Sequence, residues 1–210
     1  MDPSVDDLLP LKLPPVARGE PQATVTALVA RLLKAEFEPT PTWLMRPSES
    51  DCGEDWSLLC SMYEELTGLQ LPETMPPRER RQVDAVLRAD GRCRILEVDE
   101  TQHFNSYRAA TLRNYPVSTR VAFPIRRWIE QCDKKTRLEG GGFGKPKPPL
   151  FPAEHGRHMQ RAFRDMLADL LPPTHDFEPT LRIADVEVSG WLHGDDAEGR
   201  MRQLLNERLE

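Results

Sequence analysis

The chain has 210 residues, 39% hydrophobic and 30% charged, with a net charge of −6. That length suits one domain with appendages and hides roughly 70% of the surface its unfolded chain exposes. No apolar run approaches the ~20 residues of a membrane helix. The start MDPSVDDLLPLKLPP lacks the basic-then-apolar order of a secretory signal, so the expected compartment is the cytoplasm, with no membrane partner. Cys52, Cys60, Cys93 and Cys132 form no CxxC pair and have no histidine at zinc-finger spacing, so they read as free, small buried hydrophobes. The acidic total weakly opposes nucleic-acid binding, but local patches decide it, and residues 78–94 and 108–137 are arginine-rich between acidic ends.

Prolines, 20 in all, divide the chain into segments. Residues 1–21, proline-rich and acidic, read as an N-terminal arm. Residues 22–37 place Val25, Leu28, Val29, Leu32 and Leu33 at helical spacing, and Pro39 and Pro41 stop that helix. Residues 51–69 read as a second helix with Trp56, Leu59, Cys60, Tyr63 and Leu66 on one face and Gly68 as its C-cap. The period then changes. Residues 80–87 and 93–99 read as two strands joined at Asp90-Gly91, a strong hairpin signal. Helices are expected over 105–115, 124–135, 157–171 and 195–210, a loop over 140–152 and a strand over 180–188. The expected fold class is α/β: a small mixed β-sheet with a catalytic β-hairpin flanked by helices.

Chemistry concentrates at the hairpin. Side chains alternate along a strand, so Glu97 and Asp99 share one face while Leu96 and Val98 enter the core. Asp84 sits among apolar residues on the partner strand, and hairpin pairing can bring it toward Glu97 and Asp99. Three hard oxygen ligands suit Mg²⁺ or Mn²⁺. Gln102 and His103 follow directly, able to orient water or meet a phosphate, and His103 titrates near neutrality. Solvated surface acids are the competing account of Glu97 and Asp99; the whole set favours a site.

The run VDAVL, a turn, ILEVDETQHF, then Arg108 and Leu112 four apart, resembles the PD-(D/E)xK nuclease superfamily, most similar to its very-short-patch-repair and restriction-endonuclease-like branch. The resemblance covers residues 80–112 well. It implies a restriction-endonuclease-like core over 22–190, with an insertion at 116–179 and a C-terminal helix at 191–210. It also implies an Mg²⁺- or Mn²⁺-dependent endonuclease acting on DNA, with Asp84, Glu97 and Asp99 as metal ligands and Gln102 and His103 in catalysis. A glutamate before the hairpin would face the site, Glu64, Glu65 or Glu54, with Glu64 favoured. Arg81, Arg108 and Arg113 would contact nucleic acid, and a later strand carrying Arg182 would close the core. Two positions depart from the pattern: Glu100 replaces a glycine, and Asp99 stands where the superfamily has lysine. The alternative is a catalytically degenerate module of the same fold that binds nucleic acid or a protein within an assembly.

Other features read more plainly. Residues 140–145 lack the Ser/Thr of a phosphate loop, and Pro146 follows Lys145. His155 and His158 read as surface residues. Trp43, Trp56, Trp128 and Trp191 read as core anchors. The final helix carries a Met201, Leu204, Leu205, Leu209 stripe that offers a homodimer or protein-partner face.

Overall fold

A computed structural model describes residues 20–76, 81–135, 137–138, 142 and 144–209. The arm expected over 1–21 therefore lies almost entirely outside the described residues, as does part of the 140–152 loop. Helix α1 (Glu20–Leu33) leads into strand β1 (Glu36–Glu38). Short helices α2 (Thr42–Met45) and α3 (Glu49–Cys52) precede α4 (Trp56–Thr67). Strands β2 (Ala85–Ala89) and β3 (Arg92–Asp99) form the hairpin. A single 3-10 turn (Thr101–His103) then opens α5 (Ser106–Arg113), followed by α6 (Ile125–Asp133) and α7 (Gly156–Leu170). Strand β4 (Glu178–Ala184), α8 (Asp185–Val188) and α9 (Ala197–Leu209) complete the chain.

The four strands lie in the order β1-β2-β3-β4, the first two pairings antiparallel and β3·β4 parallel. Asp90 (φ 49°) and Gly91 (φ 78°) both take left-handed conformations, the requirement of a two-residue hairpin turn whose twist matches the strands. Gly68 (φ 70°) caps α4 as its position suggests. Three expectations need correction. The helix expected to reach residue 37 ends at Leu33, because Lys34 turns left-handed (φ 51°) and residues 36–38 pair with β2. Asp84 stands just before β2, not within it. The strand expected to reach residue 188 ends at Ala184, where the Glu187 carboxylate accepts from the Ala184 N–H and opens α8.

One sheet face carries Ala85, Leu87, Leu96, Val98, Leu181 and Ile183 against α1 and α9. Of the expected α9 stripe, Met201 and Leu205 are buried within this core, while Leu204 and Leu209 are half-buried and packed against it. The other face packs Val86 and Ile95 against α4 and α7. Helix α7, inside the segment expected to be an insertion, is thus part of the main core. His158 on it is buried, contrary to its reading as a surface residue. Tyr63 anchors the same core by donating its hydroxyl to Leu150 O at 2.5 Å.

Gly156 fixes where α7 begins. A Cβ there would stand 2.1 Å from Phe151 O and 2.9 Å from Lys147 N, both backbone atoms. Gly156→Ala must displace that strap, an overpacking cost of about 2 kcal/mol. The expected result is a melting temperature lower by roughly 4–8 °C in calorimetry; an unchanged melt would mean α7 is not held there.

Candidate active site

The parallel register pairs Glu97 with Arg182 and Asp99 with Ala184. Glu97, Asp99 and Arg182 emerge on the sheet face covered by α7, which contributes Asp165 and Asp169 one turn apart. The Arg182 guanidinium is fully buried. It donates through Nε to Asp169 Oδ1 and through NH1 to Asp99 Oδ1, each at 2.7 Å, and through NH2 to Asp165 O at 3.2 Å. Burial alone would lower its pKa, but Asp169 and Asp99 hold it well above the ordinary arginine value. Asp169 Oδ2 accepts from Arg108 NH2 at 2.6 Å and from the Tyr115 hydroxyl at 2.7 Å. Asp99 Oδ2 accepts from the Trp128 indole at 2.6 Å.

His103 bridges this network to a cleft. Its Nδ1 lies 3.1 Å from Asp165 Oδ2 and 3.2 Å from Asp99 Oδ1. Burial opposes its charge, yet Asp165 and Asp99 outweigh burial and raise its pKa above the ordinary 6.5. Burial likewise opposes the charge on Asp165, but Arg182 and His103 hold that carboxyl well below the usual range.

The cleft measures about 730 Å³ and is lined by both signs of charge: Asp84, Glu97, Glu100 and Asp165 with Arg81, Arg157, Arg161 and Arg164. Asp84 Oδ2 accepts from the Val98 N–H at 2.8 Å, which fixes it beside the Glu97 segment. Burial first, and the charge of Glu97 second, push its pKa up to about 7. Glu97 is bound by Arg81 NH2, and Gln102 donates to the Glu100 carboxylate.

The three expected metal ligands therefore separate. Asp84 and Glu97 face the cleft together, while Asp99 is turned into the ionic core by Arg182 and Trp128. Among the described residues, the set of three potential ligands lying within 4.8 Å of one another is Asp99, His103 and Asp165. That set is already engaged within the protein: His103 Nδ1 lies between the two acids, which favour its protonated form, and Arg182 donates to Asp99 Oδ1. Asp84 and Glu97 line the cleft, Glu97 with one oxygen taken by Arg81 NH2, and a hard divalent ion held there would complete its shell with water and phosphate oxygens.

The remaining candidates fall as follows. Gln102, His103 and Arg81 line the cleft. Glu64 is exposed on α4 and does not line it; the helix ahead of the hairpin that reaches the cleft is α1, through Gln22. Arg108 is buried against Asp169 and does not line the cleft, and Arg113 is exposed and paired with Asp133 at 2.6 Å. Sequence reasoning passed over Asp165, Asp169 and the row Arg157, Arg161, Arg164. Their signals were present: two acids four apart in an apolar helix, and three arginines at helical spacing.

Residues 61–145 match a family of unknown function (DUF7255). That stretch holds Asp84, Glu97, Asp99, Gln102 and His103, whereas Asp165, Asp169 and Arg182 lie beyond it. No curated protein and no solved structure matches the chain.

Two outcomes follow from this geometry. Arg182→Met leaves buried acids without their cation, at a cost of about 3–5 kcal/mol, while Arg113→Ala, at a half-exposed pair, costs less than about 1 kcal/mol. Urea unfolding should separate the two variants by that margin. For Asp84, the folded protein keeps a proton to about pH 7 that the unfolded chain releases near pH 4. Stability of the metal-free protein therefore falls as pH rises through this window. Asp84→Asn cannot ionise, so its melting temperature should match wild type below pH 4 and exceed it by roughly 3 °C or more at pH 8 in EDTA. Equal melts at pH 8 would contradict the raised carboxyl.

Proposed function

We propose that this protein is a metal-dependent nuclease that hydrolyses phosphodiester bonds in nucleic acid, with DNA the favoured polymer. The observation that carries the reading is Asp84: a carboxyl held by the Val98 N–H, set beside Glu97, in a cleft lined by four arginines. The element order adds support, since a helix precedes the hairpin and a later strand carrying a buried arginine pairs with β3, as the sequence resemblance implies.

Asp84 and Glu97 would hold the divalent ion, whose charge is needed most above about pH 7, where Asp84 gives up its proton. When bound, such an ion polarises a phosphodiester and lowers the pKa of an attacking water. His103 acts from the adjacent wall of the cleft. Its Nδ1 is fixed by Asp99 and Asp165, leaving Nε2 to donate a proton to the leaving oxygen. Gln102 orients water at the cleft edge. Asp99 is a positioning residue, acting through His103 and Arg182 rather than on the ion.

The test is cleavage of supercoiled plasmid, single-stranded DNA and RNA with Mg²⁺, Mn²⁺ or EDTA. Cutting should require the metal, fall at least about 100-fold in Asp84→Asn and Glu97→Gln, and fall about 100-fold in His103→Ala. Cutting that survives EDTA, or that is unchanged in both carboxylate variants, would overturn the assignment. A folded, Mn²⁺-bound protein that cuts no polymer would instead mark the fold as a binding module.

A further inference from the structure

Arg81 carries an unmet demand. Its side chain is 7% exposed, and NH2 is taken by Glu97, with Asp165 Oδ1 at 3.5 Å. NH1 is buried and has no hydrogen-bond partner among the described residues. A buried guanidinium nitrogen without an acceptor is unfavourable by more than an ordinary hydrogen bond gains, and folded proteins seldom leave one. Of the buried polar atoms left in this condition, that of Arg81 is the one whose residue lines the cleft. The guanidinium is a rigid fork with one prong in use; the other demands an oxygen acceptor from a ligand.

What that ligand is follows from its surroundings. Arg157, Arg161 and Arg164 line the same cleft at i, i+4 and i+7 of α7. Seven helical steps rise about 10 Å, close to the rise of three nucleotides along one duplex strand at ~3.4 Å each. Burial first, and the charge of Arg157 after it, lower the Arg161 pKa against the opposing pull of Asp165 and Glu100. Glu97 is engaged by Arg81, Asp165 by His103 and Arg182, and Glu100 by Gln102.

We infer that Arg81 is the anion anchor of the cleft, its NH1 seating a non-bridging oxygen of a phosphodiester while NH2 holds Glu97 in place, and that the Arg157, Arg161, Arg164 row carries the flanking phosphates. That this phosphate is the scissile one rests on the nuclease reading; its capture by Arg81 does not. Arg81 thereby joins the anion subsite and the carboxylate pair through a single planar group.

The experiment is anion binding without metal. A fluorescein-labelled DNA duplex is titrated with the full chain in EDTA at low salt, with inorganic phosphate as competitor. Wild type should bind the duplex, and phosphate should displace it. Arg81→Gln should weaken both at least tenfold. Because Arg81→Gln leaves Glu97 without its cation, Arg81→Lys is measured beside it: lysine keeps the charge for Glu97 but offers no second fork nitrogen, so it should fold and still lose at least fivefold. The double variant Arg161→Gln, Arg164→Gln should lower the salt dependence of duplex binding by about two charges. Binding equal to wild type in the folded Arg81 variants, or no binding of either probe by wild type, overturns the inference. Arg81-dependent binding of phosphate without the duplex overturns the backbone assignment and makes the subsite one for a small phosphate. Failure of the nuclease reading looks different: no cutting, with this Arg81-dependent binding intact.

Discussion

Arg182 lies at zero exposure between β3, β4 and α7, and each of its nitrogens is engaged: Asp169, Asp99 and the Asp165 carbonyl take them in turn. Removing a guanidinium from water is costly, and it is tolerated only where acceptors surround it in good geometry. That requirement organises the neighbourhood. It sets the parallel pairing of β4 beside β3, and it fixes the rotation of α7 so that Asp165 and Asp169 both face the sheet. It also turns Asp99 inward, away from solvent. Arg108 and Tyr115 extend the same network from α5 through Asp169, which ties the helix after the hairpin to the helix under the sheet.

The cleft is the open edge of this ionic core. His103 belongs to both, its pKa raised by the buried acids on one side and its ring presented to the cleft on the other. Glu97 is shared in the same way through Arg81. Asp84 stands outermost, and its proton is held to about pH 7 by burial and by Glu97. A carboxylate pair poised in this manner, next to arginines, is the arrangement from which the proposed chemistry is argued; perturbed carboxyls gather at functional sites more often than elsewhere.

Much of the hairpin was legible in the sequence. Asp90-Gly91 demands left-handed backbone, and the alternation Leu96, Glu97, Val98, Asp99 assigns faces without ambiguity. Gly68 caps α4 where its position in the sequence suggests, and α6 begins directly after Pro124 within the expected 124–135. What could not be read was the partner of each charge. Asp99 meets Arg182, 83 positions away, and Arg108 meets Asp169, 61 positions away; no local pattern links them. The acids at Asp84, Glu97 and Asp99 looked equivalent in sequence because spacing reports a face, not a counter-ion. Only the position of Trp128 and Arg182 separates Asp99 from the other two. Glu64 was misplaced for a related reason: α4 and α1 both precede the hairpin, and chain order does not say which one reaches the cleft.

The account places one divalent ion on Asp84 and Glu97 and assigns Asp99, His103 and Asp165 to the ionic core. Crystals grown at pH 8 and soaked in Mn²⁺, with anomalous diffraction recorded at the manganese edge, test that division directly. A peak within about 2.5 Å of oxygens of both Asp84 and Glu97 is the predicted result. A peak among Asp99, His103 and Asp165, or no peak beside Asp84 in well-ordered soaked crystals, would contradict it.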